Sequence, residues 1–358
     1  MPAYKDAKRG TWYAKFQHKD WDNTRKWVTK RGFATKREAL RWERDFLLQK
    51  SGSVDMSFRD FVQVYLQNRA PRLKESTALM KENVIETKIL PYFGDRRLRD
   101  ITAADVMQWQ NTMLRHTNPA TGKPYSKSYL KTLHNQLSAI FNHAVKFYGL
   151  SENPARTVGN MGSDKGIEMK FWTTEEYLRF AEEMMDDPQA YYCFEVLYWC
   201  GIRVGEMLAL TAEDIDLKKR TMRISKTYQR LRGKDIITDP KTLKSNRTIK
   251  IPAFLCDEMS DYVGMQYDLQ PGDRLFPVTK SYLRHKMNDG CKKLGIEKIR
   301  IHDLRHSHVS LLISQGYSAV AIADRMGHES IDITYRYAHL FPSTQDAMAD
   351  SLDKLREG

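Results

Sequence analysis

The chain has 358 residues, a length typical of two or three domains. Its mean hydropathy is −0.62, and no apolar run approaches the roughly 18 residues of a membrane span, which argues against a membrane protein. The N-terminus lacks the apolar segment of a signal peptide, so we expect a cytoplasmic protein. The net charge of +13 and the pI near 9.4 favour a polyanionic partner.

The four cysteines are scattered along the chain and form no Cys-x-x-Cys pair. This spacing predicts buried thiols in a reducing compartment, and it favours neither a disulfide framework nor a metal site. The residues concerned are Cys193, Cys200, Cys256 and Cys291.

Residues 1–50 predict a small α+β domain, and they hold 14 Lys/Arg against 6 Asp/Glu. Residues 11–17 alternate between apolar and polar, which indicates a half-buried strand, and residues 21–33 supply a turn and a further strand. Thr35 and Glu38 form a capping box. The helix that they start has one apolar side, formed by Ala39, Trp42 and Phe46. The charge predicts nucleic-acid binding, with a solubilising basic face as the alternative.

Residues 51–57 form a short linker, and residues 55–157 predict an all-α bundle. Apolar residues recur at helical spacing in four segments. Their predicted starts are Ser57, Ser76, Thr102 and Ser126. We expect Pro91 to break the last turn of the second helix, and the fourth helix to run to Tyr148.

Residues 158–170 contain three glycines and no apolar period, so they predict an interdomain linker. Thr173 and Glu176 then open a mixed α/β domain that covers residues 170–358. Strand signals lie at 221–227 and 246–251.

Five stretches of this last region carry an ordered set of polar residues. They are GIRVGE (201–206), PKTLKSNRTIKIP (240–252), IHDLRHSH (301–308), MGHES (326–330) and ITYRYAHL (333–340). The set consists of Arg203, Lys241, His302, Arg305, His328 and Tyr337. Each piece alone occurs by chance, but the order and the nine-residue step from the last histidine to the tyrosine are specific. The set resembles the active site of the tyrosine recombinases, the family of phage and transposon integrases.

The resemblance covers the whole chain and implies a site-specific integrase of a bacterial mobile element. In this family DNA strands are cleaved and rejoined through a 3′-phosphotyrosyl intermediate, without metal, ATP or another cofactor. The lambda-type members begin with an arm-binding domain, which would be residues 1–50 here. Residues 55–157 would then be the helical, SAM-like core-binding domain, and residues 170–358 the catalytic domain.

The family also implies partners. These are double-stranded DNA at core and arm sites, and three further copies of the chain in a synaptic homotetramer. A directionality factor or a host DNA-bending protein is a further candidate. The tail carries Met348, Leu352 and Leu355 at helical spacing. Such a helix docks on a neighbouring protomer in this family, and docking within the same protomer is the alternative.

The resemblance assigns a role to each residue of the set. Tyr337 is the nucleophile, and Arg203 and Arg305 bind the phosphate, where a planar and permanently charged guanidinium suits phosphoryl transfer. His302 and His328 donate hydrogen bonds to the phosphate or manage the proton of the nucleophile. Lys241, placed in a predicted basic hairpin, is the general acid that protonates the leaving 5′-oxygen.

Several alternatives stay open at this point. Lys226 and Lys244 compete with Lys241, and Tyr335 competes with Tyr337. His302 and His306 have a spacing that could chelate zinc, but no His-Glu-x-x-His motif accompanies them, so we expect no metal. A type IB topoisomerase shares the phosphotyrosine chemistry. A silent DNA-binding regulator could share the scaffold.

Overall fold

The structure is a computed structural model that describes residues 3–7, 9–19, 25–50, 54–119, 121–163, 169–240, 242–335 and 337. The chain divides into two compact units, Met1–Lys165 and Gly166–Gly358. Within the described residues, no helix is both long enough and apolar enough to cross a bilayer. Lys241 and the predicted tail helix lie outside the described residues.

The first unit begins with an antiparallel sheet in the order β1-β2-β3, followed by a helix. The elements are β1 (Ala3–Asp6), β2 (Thr11–Lys19), β3 (Arg25–Phe33) and α1 (Lys36–Lys50). The predicted alternation is confirmed, because Ala14 and Phe16 are buried while Lys15 and Gln17 are exposed. One face of the sheet therefore packs on the helix, through the apolar side chains of the alternate positions.

The predicted capping box fixes the start of α1. Glu38 accepts a hydrogen bond from the Thr35 backbone N–H at 3.4 Å, and the Thr35 hydroxyl accepts one from the Glu38 N–H at 3.1 Å. Trp42 and Phe46 then reach the sheet, where their rings lie 6.1 and 5.6 Å from the ring of Phe16. Local capping and aromatic packing together hold this small module.

The rest of the first unit is helical. The helices are α2 (Phe58–Arg69), α3 (Glu75–Val84), α4 (Leu90–Phe93), α5 (Ala103–Arg115), α6 (Lys127–Tyr148) and α7 (Pro154–Val158). Ser57, Thr102 and Ser126 cap helices as predicted. Gly149 ends α6 in the left-handed conformation at φ 74°. The predicted stripe of α6 is buried in the core of this unit.

The prediction for Pro91 needs correction. The helix does not lose its last turn. Instead it changes at Ile85–Ile89 into a π-helical turn, in which the Leu90 N–H bonds to the Ile85 carbonyl, and α4 follows. Proline carries no N–H and clashes with the preceding turn of an α-helix. The wider π turn just before Pro91 shifts the hydrogen-bond register and lets the chain stay helical.

The second unit combines helices with two small antiparallel sheets. Its helices are α8 (Thr174–Met184), α9 (Pro188–Cys200), α10 (Val204–Met207), α11 (Ala253–Gly264), α12 (Lys280–Leu294), α13 (Asp303–Ser314), α14 (Ala319–Met326) and α15 (Asp332–Tyr335). Its strands are β4 (Ile215–Asp216), β5 (Thr221–Ile224), β6 (Thr227–Leu231), β7 (Lys234–Thr238) and β8 (Arg247–Lys250). One sheet has the order β4-β5-β8, and β6 pairs with β7. The capping box of Thr173 and Glu176 is confirmed.

The predicted strands near 221–227 and 246–251 are confirmed as β5 and β8. The basic hairpin predicted at 240–252 is wrong. The tight hairpin is β6–β7, where Arg232 and Gly233 both have positive φ angles, as a two-residue hairpin turn requires. Pro240 follows β7, and a 3₁₀ turn at Leu243–Ser245 then leads into β8.

The capping box of α5 provides a stability test. The Thr102 hydroxyl accepts the Asp105 N–H at 3.3 Å, so we expect Thr102→Ala to cost about 1 kcal/mol. Thr112 lies exposed on the same helix, so Thr112→Ala should leave stability unchanged or slightly raise it. Calorimetry of the whole chain measures both. Equal destabilisation by the two variants would contradict the assignment of the cap.

Candidate active site

A sharp turn after α9 places Arg203. Gly201 ends the helix at φ 62°, and the Arg203 backbone N–H donates to Glu206 Oε2 at 3.0 Å. The Arg203 guanidinium donates to Glu206 Oε1 at 2.6 Å and to the Ser245 hydroxyl at 3.4 Å. Its side chain is nevertheless 39% exposed. The arginine is therefore held from one side and open on the other, as a binding residue requires.

Glu206 is a buried carboxylate that joins two arginines. Arg247 Nη2 donates to Glu206 Oε2 at 3.2 Å, the oxygen that also accepts the Arg203 backbone N–H. Burial alone would raise the pKa of Glu206, but Arg247 and Arg203 more than offset this effect and lower that pKa. The carboxylate thus stays charged and fixes both guanidinium groups.

Arg305 connects three segments of the unit. It lies buried on α13, where Nη1 donates to the Gly201 carbonyl at 2.7 Å and Nη2 donates to the Met326 carbonyl at 2.6 Å. Burial, followed by the neighbouring charge of Arg203, lowers the pKa of Arg305 to about 9. The guanidinium is still charged at neutral pH, so a fixed cation lies where the ends of α9 and α14 meet.

The two predicted histidines lie beside this cation. His302 is exposed at the start of α13. Partial desolvation and the charges of Arg305 and Arg203 lower its pKa. His328 follows the end of α14 and is buried, with Nδ1 hydrogen-bonded to the Thr334 hydroxyl at 2.8 Å. Burial and Arg305 lower the pKa of His328 to about 4. Both rings are therefore neutral near pH 7.

Tyr337 is buried, and its hydroxyl is hydrogen-bonded to Nδ1 of His306. Its backbone N–H bonds to the Thr334 carbonyl at 3.0 Å. It lies close enough to Arg305 for a phenolate at this position to favour the charged guanidinium. Tyr335, the competing tyrosine, is 53% exposed. Of the two tyrosines, Tyr337 is thus the one directed at the cationic cluster.

The two competing lysines have other partners. Lys226 Nζ pairs with the buried carboxylate of Asp214 at 2.7 Å and donates to the Thr211 hydroxyl at 3.1 Å. Lys244 Nζ donates to the Glu329 carbonyl at 3.2 Å. The structure thus brings together five residues of the predicted set, while Lys241 lies outside the described residues.

Sequence reasoning gave no catalytic part to three residues of this cluster, Glu206, Arg247 and His306. A signal for Arg247 exists in the sequence. The residue alternates with Ile249 and Ile251 and so shares their strand face, where an arginine needs a buried acceptor. The contact between His306 and Tyr337 joins α13 to the chain after α15, and no local pattern reveals it.

Comparisons with known proteins agree on one family. The model described as "Phage integrase family" matches residues 170–344. "Phage integrase, N-terminal SAM-like domain" matches residues 57–114, and "Arm DNA-binding domain" matches residues 2–50. The ICEBs1 integrase of Bacillus subtilis is 30% identical over 344 residues, which cover 90% of this chain and 91% of that protein. A putative prophage phiRv2 integrase of Mycobacterium tuberculosis is 26% identical, with 97% and 94% covered.

Solved structures show the same fold. The Tn1549 transposon integrase in complex with transposon right end DNA matches with a TM-score of 0.66 and 19% identity, over 83% of this chain and 99% of that one. A lambda integrase tetramer bound to a Holliday junction matches with a TM-score of 0.59 and 16% identity, over 92% and 96%.

The turn at Gly201 provides a test of the site's scaffold. A Cβ atom at Gly201 would lie 2.4 Å from the His308 ring, on a backbone with φ 62°. We expect Gly201→Ala to cost about 1–3 kcal/mol, measured by urea unfolding. Gly264 is the matched control, because nothing lies within 4 Å of a Cβ there. A Gly201→Ala protein as stable as Gly264→Ala would contradict this account of the turn.

Proposed function

The chain belongs to the phage integrase family, and we propose that Tyr337 is the nucleophile with which it cleaves DNA. It is a site-specific tyrosine recombinase that integrates or excises a mobile element. Its fold is that of a multidomain tyrosine recombinase, with a helical core and a small N-terminal sheet. The observation that carries the proposal is the meeting of Tyr337, His328 and Arg203 around the buried Arg305.

The proposed reaction conserves the energy of the phosphodiester bond. The Tyr337 oxygen attacks the phosphorus atom, a 3′-phosphotyrosyl bond forms, and the bond to the 5′-oxygen breaks. The 5′-hydroxyl of a second strand then attacks the same phosphorus and releases the tyrosine. Because the covalent intermediate keeps the bond energy, the chemistry needs no nucleotide hydrolysis.

Fixed cations supply the electrostatic part of catalysis. Charge develops on the non-bridging phosphate oxygens, and preorganised donors at that place lower the barrier. Arg203 is open on one side and Arg305 is charged and immobile, which supports a role for both in binding the phosphate. His302 and His328 would add hydrogen bonds to the same oxygens. Glu206 would keep Arg203 in place.

We assign Lys241 as the general acid for the leaving 5′-oxygen. The ion pair of Lys226 and the carbonyl contact of Lys244 support this choice, because both rivals already have partners. The pattern that follows Lys241 in the sequence, Ser245-x-Arg247-x-Ile249-x-Ile251-Pro252, also favours it.

The remaining regions would bind DNA and organise the assembly. We propose domain bounds of 1–50, 55–157 and 170–358, with arm sites bound by the first domain and core sites by the other two. The matching family models and the net charge of +13 support these roles. The lambda integrase tetramer on a Holliday junction supports a synaptic homotetramer here. A directionality factor or host DNA-bending protein would act on that assembly.

The nucleophile can be tested with a suicide substrate, a nicked duplex that carries the end of the element. Tyr337→Phe should abolish covalent adducts in EDTA while DNA binding changes by a few fold at most, because only the attacking oxygen is lost. The control Tyr335→Phe should still form adducts. Denaturing gels and gel shifts give the two readouts. Adducts from the Tyr337→Phe protein would refute the assignment, and relaxation of plasmids without the element's sites would favour a topoisomerase.

The general acid can be tested with a 5′-thio substrate, whose sulfur leaves without protonation. Lys241→Ala should slow cleavage of the ordinary substrate by roughly 100-fold or more and regain most of the rate with the 5′-thio substrate. Lys244→Ala should cleave both substrates like the unaltered protein. Rescue of Lys226→Ala instead would move the role to Lys226.

A further inference from the structure

A chain of polar contacts runs from Tyr337 into α13. The Tyr337 hydroxyl meets Nδ1 of His306, and Nε2 of His306 lies 3.8 Å from Asp303 Oδ1. Asp303 is buried and accepts hydrogen bonds from Arg300, including one of 2.7 Å from its guanidinium and one of 2.8 Å from its backbone N–H. We call Tyr337, His306 and Asp303 the tyrosine relay.

We propose that His306 is a further catalytic residue, the general base that takes the hydroxyl proton of Tyr337 as its oxygen attacks the phosphorus. This role rests on the function proposed above for Tyr337. In this scheme His306 accepts the proton of the nucleophile, while His302 and His328 donate hydrogen bonds to the phosphate.

The geometry supplies both hydrogen-bonding directions that a base needs. A neutral imidazole has one accepting and one donating nitrogen. Since Nδ1 faces the phenol hydroxyl, we assign it as the acceptor, which leaves the hydrogen on Nε2, directed toward Asp303. A distance of 3.8 Å is long for a hydrogen bond, but it brings the carboxylate close enough to stabilise the charge of an imidazolium. His302 contacts His306 edge-on with 5.2 Å between ring centroids, and it is His306 whose Nδ1 is hydrogen-bonded to the hydroxyl.

Several charged or titratable groups face the His306 ring. They are His302, Asp303, Arg300, Arg305, His328 and Tyr337. Burial and then His302 lower the pKa of His306 to about 4 in the free protein, although Asp303 acts in the opposite sense. The ring is therefore neutral at physiological pH and able to accept a proton. A DNA phosphate beside Arg203 and Arg305 would bring negative charge and favour the imidazolium.

The step balances in protons and bonds. The Tyr337 proton moves to His306 Nδ1 as the oxygen–phosphorus bond forms, and the bond to the 5′-oxygen breaks as Lys241 gives that oxygen a proton. In the reverse attack Lys241 accepts the proton of the incoming 5′-hydroxyl. His306 then returns its proton to the released tyrosine, so no external acid or base is consumed.

The test uses the full chain with the ordinary and the 5′-thio suicide substrates. His306→Ala and His306→Asn should each slow adduct formation by about 100-fold or more, and neither should be rescued by the 5′-thio substrate, which rescues only loss of the general acid. Asparagine keeps an acceptor near the position of Nδ1 but cannot take up a proton. A His306→Asn protein with the unaltered rate, or rescue by the 5′-thio substrate, would overturn the base role.

A second measurement needs no variant. With the 5′-thio substrate, the unaltered protein should lose rate on the acid side, as His306 becomes protonated in the DNA complex. A rate that stays flat down to about pH 4, the pKa of His306 in the free protein, would overturn the proposal. Adducts formed by Tyr337→Phe would instead refute the underlying function. If the Tyr337→Phe protein is inactive while the His306 variants keep full activity, the base role of His306 is refuted and the function proposed for Tyr337 stands. Exposed His285 provides the matched control, His285→Ala.

Discussion

The catalytic unit depends on the buried guanidinium of Arg305. Its two hydrogen bonds go to backbone carbonyls at the ends of α9 and α14, Gly201 and Met326. Arg203 follows the first of these helix ends, and His328 follows the second. A buried charge is costly unless its donors are satisfied, so the same contacts that stabilise Arg305 bring these two loops together. The Arg305 side chain that holds these helix ends together is therefore the same one that we propose binds the phosphate.

The cluster concentrates positive charge before any DNA is present. Arg203, Arg247 and Arg305 lie near one another, with Glu206 as the buried counter-charge that accepts bonds from the first two. The lowered pKa values of Arg305 and His328 record this repulsion as well as burial. A site of this kind favours binding of an anion. A phosphate would replace the water that the buried arginines have lost, and it would relieve the repulsion between their positive charges.

Local patterns predicted much of the fold, and the reason is that caps and apolar periods act over a few residues. The capping boxes at Thr35, Thr102 and Thr173 and the stripe of α6 are of this kind. The π turn before Pro91 and the β6–β7 hairpin were not predicted. The π turn is an uncommon helical form, and the hairpin turn places Arg232 at a positive φ angle, which is rare for arginine. No period of apolar residues signals either change.

The sequence by itself determined the family of the protein, because six polar residues in a specific order carry the resemblance to it. It also located several helix starts, at Ser57, Thr102, Ser126 and Thr173, since capping needs only neighbouring residues. Only the tertiary structure decided which groups touch. The bond between Arg247 and Glu206 and the bond between His306 and Tyr337 join residues up to 41 positions apart. Such contacts depend on how α10, α13 and β8 pack, and packing is a property of the whole core.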